Sequence, residues 1–201
     1  LHAEPDEDDN QLFYHQKILD TLIGIGGGDE FIGSLCALAK RLAVDRLHIV
    51  GDIFDRGPRA DSILDLLAAH HAVDVQWGNH DVIWMGAACG NETCIAAVVR
   101  ACLLYGNMEI LEKGYGISLR PLSLFAQRIY AMLPLEAAQT HAAAVLMFKL
   151  EGQLIRRRPE YGMEARLLLE KVAGGKETVL LDGAPYAVKP LPLPTVNPAD
   201  P

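Results

Sequence analysis

Two short apolar runs, Arg46–Val50 (Arg-Leu-His-Ile-Val) and Val73–Trp77 (Val-Asp-Val-Gln-Trp), constrain this chain more than any other feature. Each contains β-branched residues and stops at a glycine, Gly51 or Gly78, the pattern of a buried strand running into a loop. Between them, Ala60–His71 places Ile63, Leu64, Leu66 and Leu67 at helical spacing. Strand, helix and strand over this length demand a right-handed crossover and two parallel strands, placed at 47–50 and 73–76. The fold class is therefore α/β. Parallel sheets are normally covered on both faces and contain more than two strands. This pair is accordingly expected to show an exposed edge or to be covered by a partner.

The flanking sequence is helical. Leu12, Phe13, Gln16, Ile18, Leu19 and Leu22 form a stripe behind a candidate cap at Asn10, and Gly26–Gly28 stop that helix. No Gly-Lys-Ser/Thr follows the triple glycine, so it reads as a helix–helix turn and not as a phosphate loop. Asp29 is expected to cap the next helix, through Ile32, Leu35, Leu38, Ala39 and Leu42. Ile95–Leu104 and Leu122–Leu133 read as helices, and Glu136–Arg157 as one long helix. Thr178–Val188 centres on Asp182-Gly183, the signature of a tight β-hairpin. A change of composition near Glu151 divides the chain into a core over 1–150 and an extension over 151–201 ending in Pro194, Pro198 and Pro201.

Charge and cysteine use narrow the function. A net charge of −8 argues against a sequence-independent grip on nucleic acid, which needs clustered Lys and Arg. It does not exclude a phosphorylated substrate, because a bound divalent cation reverses the local field. Cys36, Cys89, Cys94 and Cys102 form no C-x-x-C pair and read as free thiols of a reducing compartment. The amino terminus, Leu1–Asn10, is acidic and lacks the order of a signal peptide, and the apolar stretches fall short of a membrane span, so a cytoplasmic protein is expected.

The chemistry lies in Gly51-Asp52-Ile53-Phe54-Asp55-Arg56-Gly57 and Gly78-Asn79-His80-Asp81, each read as a tight loop after a strand. Ligands of parallel sheets sit at the carboxyl ends of the strands, where both motifs fall. Hydrolysis of a phosphate ester needs a cation to polarise the phosphoryl group, an activated water and a proton for the leaving alkoxide. Asp52 can bridge two cations and Asn79 can offer an amide oxygen. Arg56 presents a planar fork to phosphate oxygens. His80 can donate the proton, with Asp55 fixing its orientation. Either motif alone could be an ordinary turn; the pair, one crossover apart, points to a two-metal phosphoesterase.

These blocks resemble the calcineurin-like metallophosphoesterases, whose signatures include G-D-x-x-D-R-G and G-N-H-[DE]. By position the resemblance implies that Asp52 bridges the metals, Asn79 ligates one of them, and His80 is the general acid. It likewise makes Asp55 the residue that orients His80, and Arg56 a phosphate clamp. Asp81 stands where the protein serine/threonine phosphatases carry Glu. The chain resembles more closely the class III fructose-1,6-bisphosphatases of bacteria, through Gln76–Asp81, Trp84–Ala87, Tyr115–Ile117, Leu119–Leu122, Phe148–Gln153 and Arg157–Pro159. That resemblance implies manganese-assisted hydrolysis of the 1-phosphate of fructose 1,6-bisphosphate, a gluconeogenic step on a small sugar bisphosphate with no nucleic acid or membrane partner. A homo-oligomer is compatible with it. The alternatives are a phosphoprotein or dinucleoside-polyphosphate phosphatase, or a folded module lacking catalysis.

The expected fold is a helix-rich, partial metallophosphoesterase core followed by a long helix and a hairpin near 178–188. The family's opening D-x-H and its late histidines have no counterpart: His2 lacks the preceding Asp, and His141 lies in helical sequence. The chain therefore reads as an internal segment carrying part of a binuclear manganese site. Arg156–Arg158 read as a solvated helix end, and Arg120 is a weaker candidate for the second phosphate.

Overall fold

A computed structural model describes residues 9–167, 169, 178–181 and 183–187. The acidic start before Asp9, Asp182 of the hairpin turn, Val188 and the proline-rich end lie outside the described residues. The chain falls into two compact units, one of residues 1–48 with 70–74, the other of 49–69 with 75–201.

In the first unit, α1 (Asp9–Gly24) packs on α2 (Gly28–Ala43) through a turn in which Gly26 adopts a φ of 72°. The turn is where the glycines place it, but two caps are not. Asn10 lies inside the first turn of α1. The N-cap of α2 is Gly27, with Asp29 one residue inside the helix, where its charge still suits the helix dipole. Neither helix buries a residue, so the stripes of Leu12 and Leu19 and of Leu35, Leu38 and Leu42 face solvent. His48 Nδ1 and Asp74 Oδ2 pair at 2.9 Å on an exposed face.

Strands β1 (Leu47–Ile49) and β2 (Val73–Val75) form a two-stranded parallel sheet, through Leu47 N to Ala72 O at 3.0 Å and Gln76 N to Ile49 O at 2.8 Å. The crossover is α3 (Ala60–Ala68). The sheet has only these two strands among the described residues, so each keeps an unpaired edge, as expected.

The second unit takes its core from helices. It contains α4 (Asn79–Ala88), α5 (Glu92–Tyr105), a π-helical turn at Ile110–Gly114, α6 (Arg120–Ile129) and α7 (Leu135–Arg157). Asn91 caps α5 by accepting from Cys94 N, and Gly106 ends it in the left-handed region. Val98, Cys102, Leu111 and Leu119 form one cluster, against which Ile83, Trp84 and Met108 pack. Ala126, Tyr130, Ala138 and Ala142 form a second cluster between α6 and α7. Alanine at 138 and 142 lets the helices approach closely, and Tyr130 fills the space between them with no exposed surface. His141 sits edge-on to the Tyr130 ring, centroids 6.1 Å apart, as expected of a helix-face residue. α7 ends in Arg156 and Arg157; Arg158 then pairs with Glu160 and lies over the Tyr161 ring. Strands β3 (Thr178–Leu181) and β4 (Ala184–Ala187) make the antiparallel hairpin, with Val179 opposite Tyr186.

The cysteines are unpaired. Burial pushes the Cys102 thiol up to about 11, which keeps it a packing residue at neutral pH.

Candidate active site

The two motifs meet at the carboxyl ends of β1 and β2, in contact through backbone. Gly51 has a φ of 98°, and a Cβ there would lie 2.6 Å from Gly78 N. A Cβ on Gly78 would lie 1.9 Å from Oδ1 of Asp52. Glycine is therefore required at both positions for the loops to touch.

The second motif is not the loop the sequence suggested. Asn79, His80 and Asp81 are the first three residues of α4, with Gly78 as the extended N-cap. The reason is local: Asp81 at the third helical position accepts from the N-cap amide of Gly78 at 2.9 Å, the back-reaching half of a capping box. Imidazole and amide are thus carried on a rigid helix terminus.

Asp52 has a φ of 55°, a left-handed conformation that Asp tolerates better than most residues. Its side chain is directed onto the start of α4, where Oδ1 accepts from His80 N at 3.2 Å. A carboxylate suits the positive end of a helix dipole. A tight turn, Asp55 N to Asp52 O at 3.3 Å, then brings Asp55 back toward α4. Nε2 of His80 lies 3.0 Å from Oδ1 of Asp55, an oxygen shielded from solvent that makes no well-aligned hydrogen bond. Arg56 is exposed, with Nε 3.6 Å from Asp55 Oδ1 and its guanidinium 5.1 Å from the centre of the Tyr105 ring. Asn107 Nδ2 holds the Arg56 carbonyl at 2.8 Å. Asp52, Asp55, Arg56 and His80 therefore share one small region, with Asn79 exposed beside them. Arg120 begins α6.

Asp52 and Asn79 are oxygen donors of the kind hard cations take. They fit such a site in kind but not in number. Among the described residues no three His, Cys, Asp or Glu side chains converge as a metal site.

Asp81 escaped the sequence reading as a working part of the site. It is 6% exposed and accepts from the backbone amides of Asp52, Phe54 and Gly78. The Asp three residues after the N-cap glycine was the available signal. Beside the motifs, Phe54 stacks on Trp84 with centroids 4.3 Å apart. An apolar cavity of about 580 Å³ is lined there by Ile53, Trp77, Met85 and Tyr115. Asp81 is its one charged lining residue, so it offers no cation to a phosphate.

Arg59, also left-handed at a φ of 60°, binds Asp61 with Nη2 2.9 Å from Oδ2. That hydrogen bond holds the Asp61 carboxyl below its usual range. A lowered folded value means that the stabilisation is complete above the ordinary Asp value of about 3.9 and is lost as the pH falls through the depressed one. Melting temperature should therefore decline more gently below about pH 4 in Asp61→Asn than in the unaltered chain. Parallel declines would show that the pair contributes nothing.

A sequence model described as Firmicute fructose-1,6-bisphosphatase matches residues 1–201, and the chain belongs to that family. It is 45% identical to the class 3 fructose-1,6-bisphosphatase of Alkaliphilus metalliredigens over 221 aligned residues, covering 100% of this chain and 33% of the relative. The class 3 enzyme of Listeria monocytogenes serovar 1/2a is 43% identical, with 100% and 34% covered, and that of Parabacteroides distasonis 44% identical, with 100% and 33% covered. The chain thus spans about a third of the length of these relatives. No solved structure matches it. Among the described residues no helix is long and apolar enough to cross a membrane.

Proposed function

We propose that this chain supplies part of the active site of a cytoplasmic, metal-dependent phosphatase that converts fructose 1,6-bisphosphate to fructose 6-phosphate and phosphate, a step of gluconeogenesis. The observation that carries the reading is the gathering of Asp52, Asp55 and His80 at the ends of two parallel strands, in a member of this family. The same observation favours a calcineurin-like metallophosphoesterase core.

Asp52 and Asn79 would hold manganese, with further donors from the length of the relatives that this chain does not span. Bound there, the metal would polarise the phosphoryl group and lower the pKa of a water. The chain's own residues do the rest. Arg56, steadied by Asp55 and the Tyr105 ring, offers its fork to phosphate oxygens. With Nε2 turned toward Asp55, Nδ1 of His80 is the nitrogen that carries a proton to the departing C1 alkoxide. Asp55 holds the ring's orientation.

Supplied with manganese, a full-length protein carrying this segment should release phosphate from fructose 1,6-bisphosphate far faster than from a phosphopeptide or a dinucleoside polyphosphate. The reverse preference would move the assignment to another branch. The isolated chain should bind manganese weakly by calorimetry and show little or no bisphosphatase activity, since two donors cannot fill one coordination sphere. Submicromolar binding of two manganese ions per chain would reveal ligands other than these.

A further inference from the structure

We infer that Asp81 is a positioning residue that fastens the two motifs into one site. This rests on the reading just given for its catalytic consequence, and on geometry alone for the clamp itself. A capping carboxylate needs only the N-cap amide, here Gly78 N at 2.9 Å from Oδ2. Asp81 does more. The same Oδ2 accepts from Asp52 N at 2.6 Å, and Oδ1 accepts from Phe54 N at 3.1 Å. Two of its three donors therefore lie in the other motif, 29 and 27 residues away in sequence. At 6% exposure the carboxylate is buried, and a buried charge needs such donors to offset its lost hydration.

The clamp acts on each group of the site. Asp52 is held at its backbone N by Asp81 and at its side chain by His80 N, two successive residues of α4. That double hold keeps Asp52 in its left-handed conformation with its carboxylate on the helix terminus. The turn from Asp52 to Asp55, which brings Asp55 within 3.0 Å of His80, has the amides of Asp52 and Phe54 tied to Asp81. Loosening Asp81 would thus misplace the proposed metal carboxylate and the acid–orienter pair together, although its own oxygens are taken up by backbone amides.

Asp81→Asn tests this, because its amide group must point at least one N–H toward a backbone N–H. Amide hydrogen exchange on the 201-residue chain should accelerate about 10- to 100-fold at Asp52, Phe54 and Gly78, the worth of a hydrogen bond to a charged acceptor. Amides in the middle of α5 and α7 should not change. Acceleration at Gly78 alone would reduce Asp81 to a helix cap and overturn the inference. Acceleration throughout α5 and α7 would make it a stability residue and overturn it equally. Should the Asn variant fail to fold, Asp81→Glu, which keeps two charged acceptors, is read instead. Protection at Asp52 and Phe54 should survive in it, and its loss while Gly78 stays protected would also overturn the clamp. In the full-length protein, Asp81→Asn should weaken manganese affinity and Asp81→Glu should restore it; affinity unchanged by Asp81→Asn would overturn the positioning role. Manganese affinity insensitive to Asp52→Ala would instead sink the metal reading and leave the clamp standing.

Discussion

Asp52→Ala in the full-length protein is expected to abolish manganese binding and phosphatase activity together. Its carboxylate lies at the first turn of α4, with Oδ1 accepting from His80 N. Alanine also loses the tolerance of Asp for a φ of 55°, so the comparison needs Asp52→Asn. Asparagine accepts the left-handed backbone and can still accept from His80 N, but carries no charge. If the carboxylate bridges two cations, both variants should lose metal, while only the alanine variant should lose thermal stability appreciably. Retention of both metal ions by Asp52→Asn would assign the bridging role elsewhere.

His80→Ala should separate chemistry from binding. If His80 is the general acid, its replacement should leave manganese occupancy nearly unchanged while kcat falls by roughly 10²–10⁴. The loss should shrink with a nitrophenyl phosphate, whose leaving group departs without a proton. Both substrates present the same phosphoryl group, so the difference between them isolates protonation from positioning. Asp55→Asn should give a milder form of the same pattern, because the His80 ring, 3.0 Å away, is misoriented and not removed. Equal losses on good and poor leaving groups would recast His80 as a phosphate-binding or structural residue.

The parts of this molecule readable in sequence were those governed by short-range rules. β-Branched runs ending in glycine marked β1 and β2, and helical spacing marked α3 and α7. The pairing of His80 with Asp55 was expected from chemistry alone and is present at 3.0 Å. What escaped depends on contacts distant in sequence. That Asn79 opens a helix follows from the Gly78–Asp81 cap, a weak signal beside a strong motif. Asp81 could not reveal its part, because two of its donors belong to residues almost thirty positions earlier. The π-helical turn at Ile110–Gly114 carries no periodicity to detect, and Asp61 packs against Gly114, filling the space a side chain would need there. The stripes of α1 and α2 showed which faces are apolar, but periodicity says nothing of whether such a face is covered.

The stacking of Phe54 on Trp84 gives the chain an optical probe of its own site. Only two tryptophans occur in the sequence. Trp77 is 62% exposed, whereas Trp84 is partly buried between Phe54 of the first motif and Tyr115, 5.9 Å away between ring centres. With Trp77 replaced by phenylalanine, all indole emission would originate one stacking contact from the loop that carries Asp52 and Asp55. Its intensity and wavelength then track the movement of that loop as cation or sugar phosphate arrives, in real time and without a label.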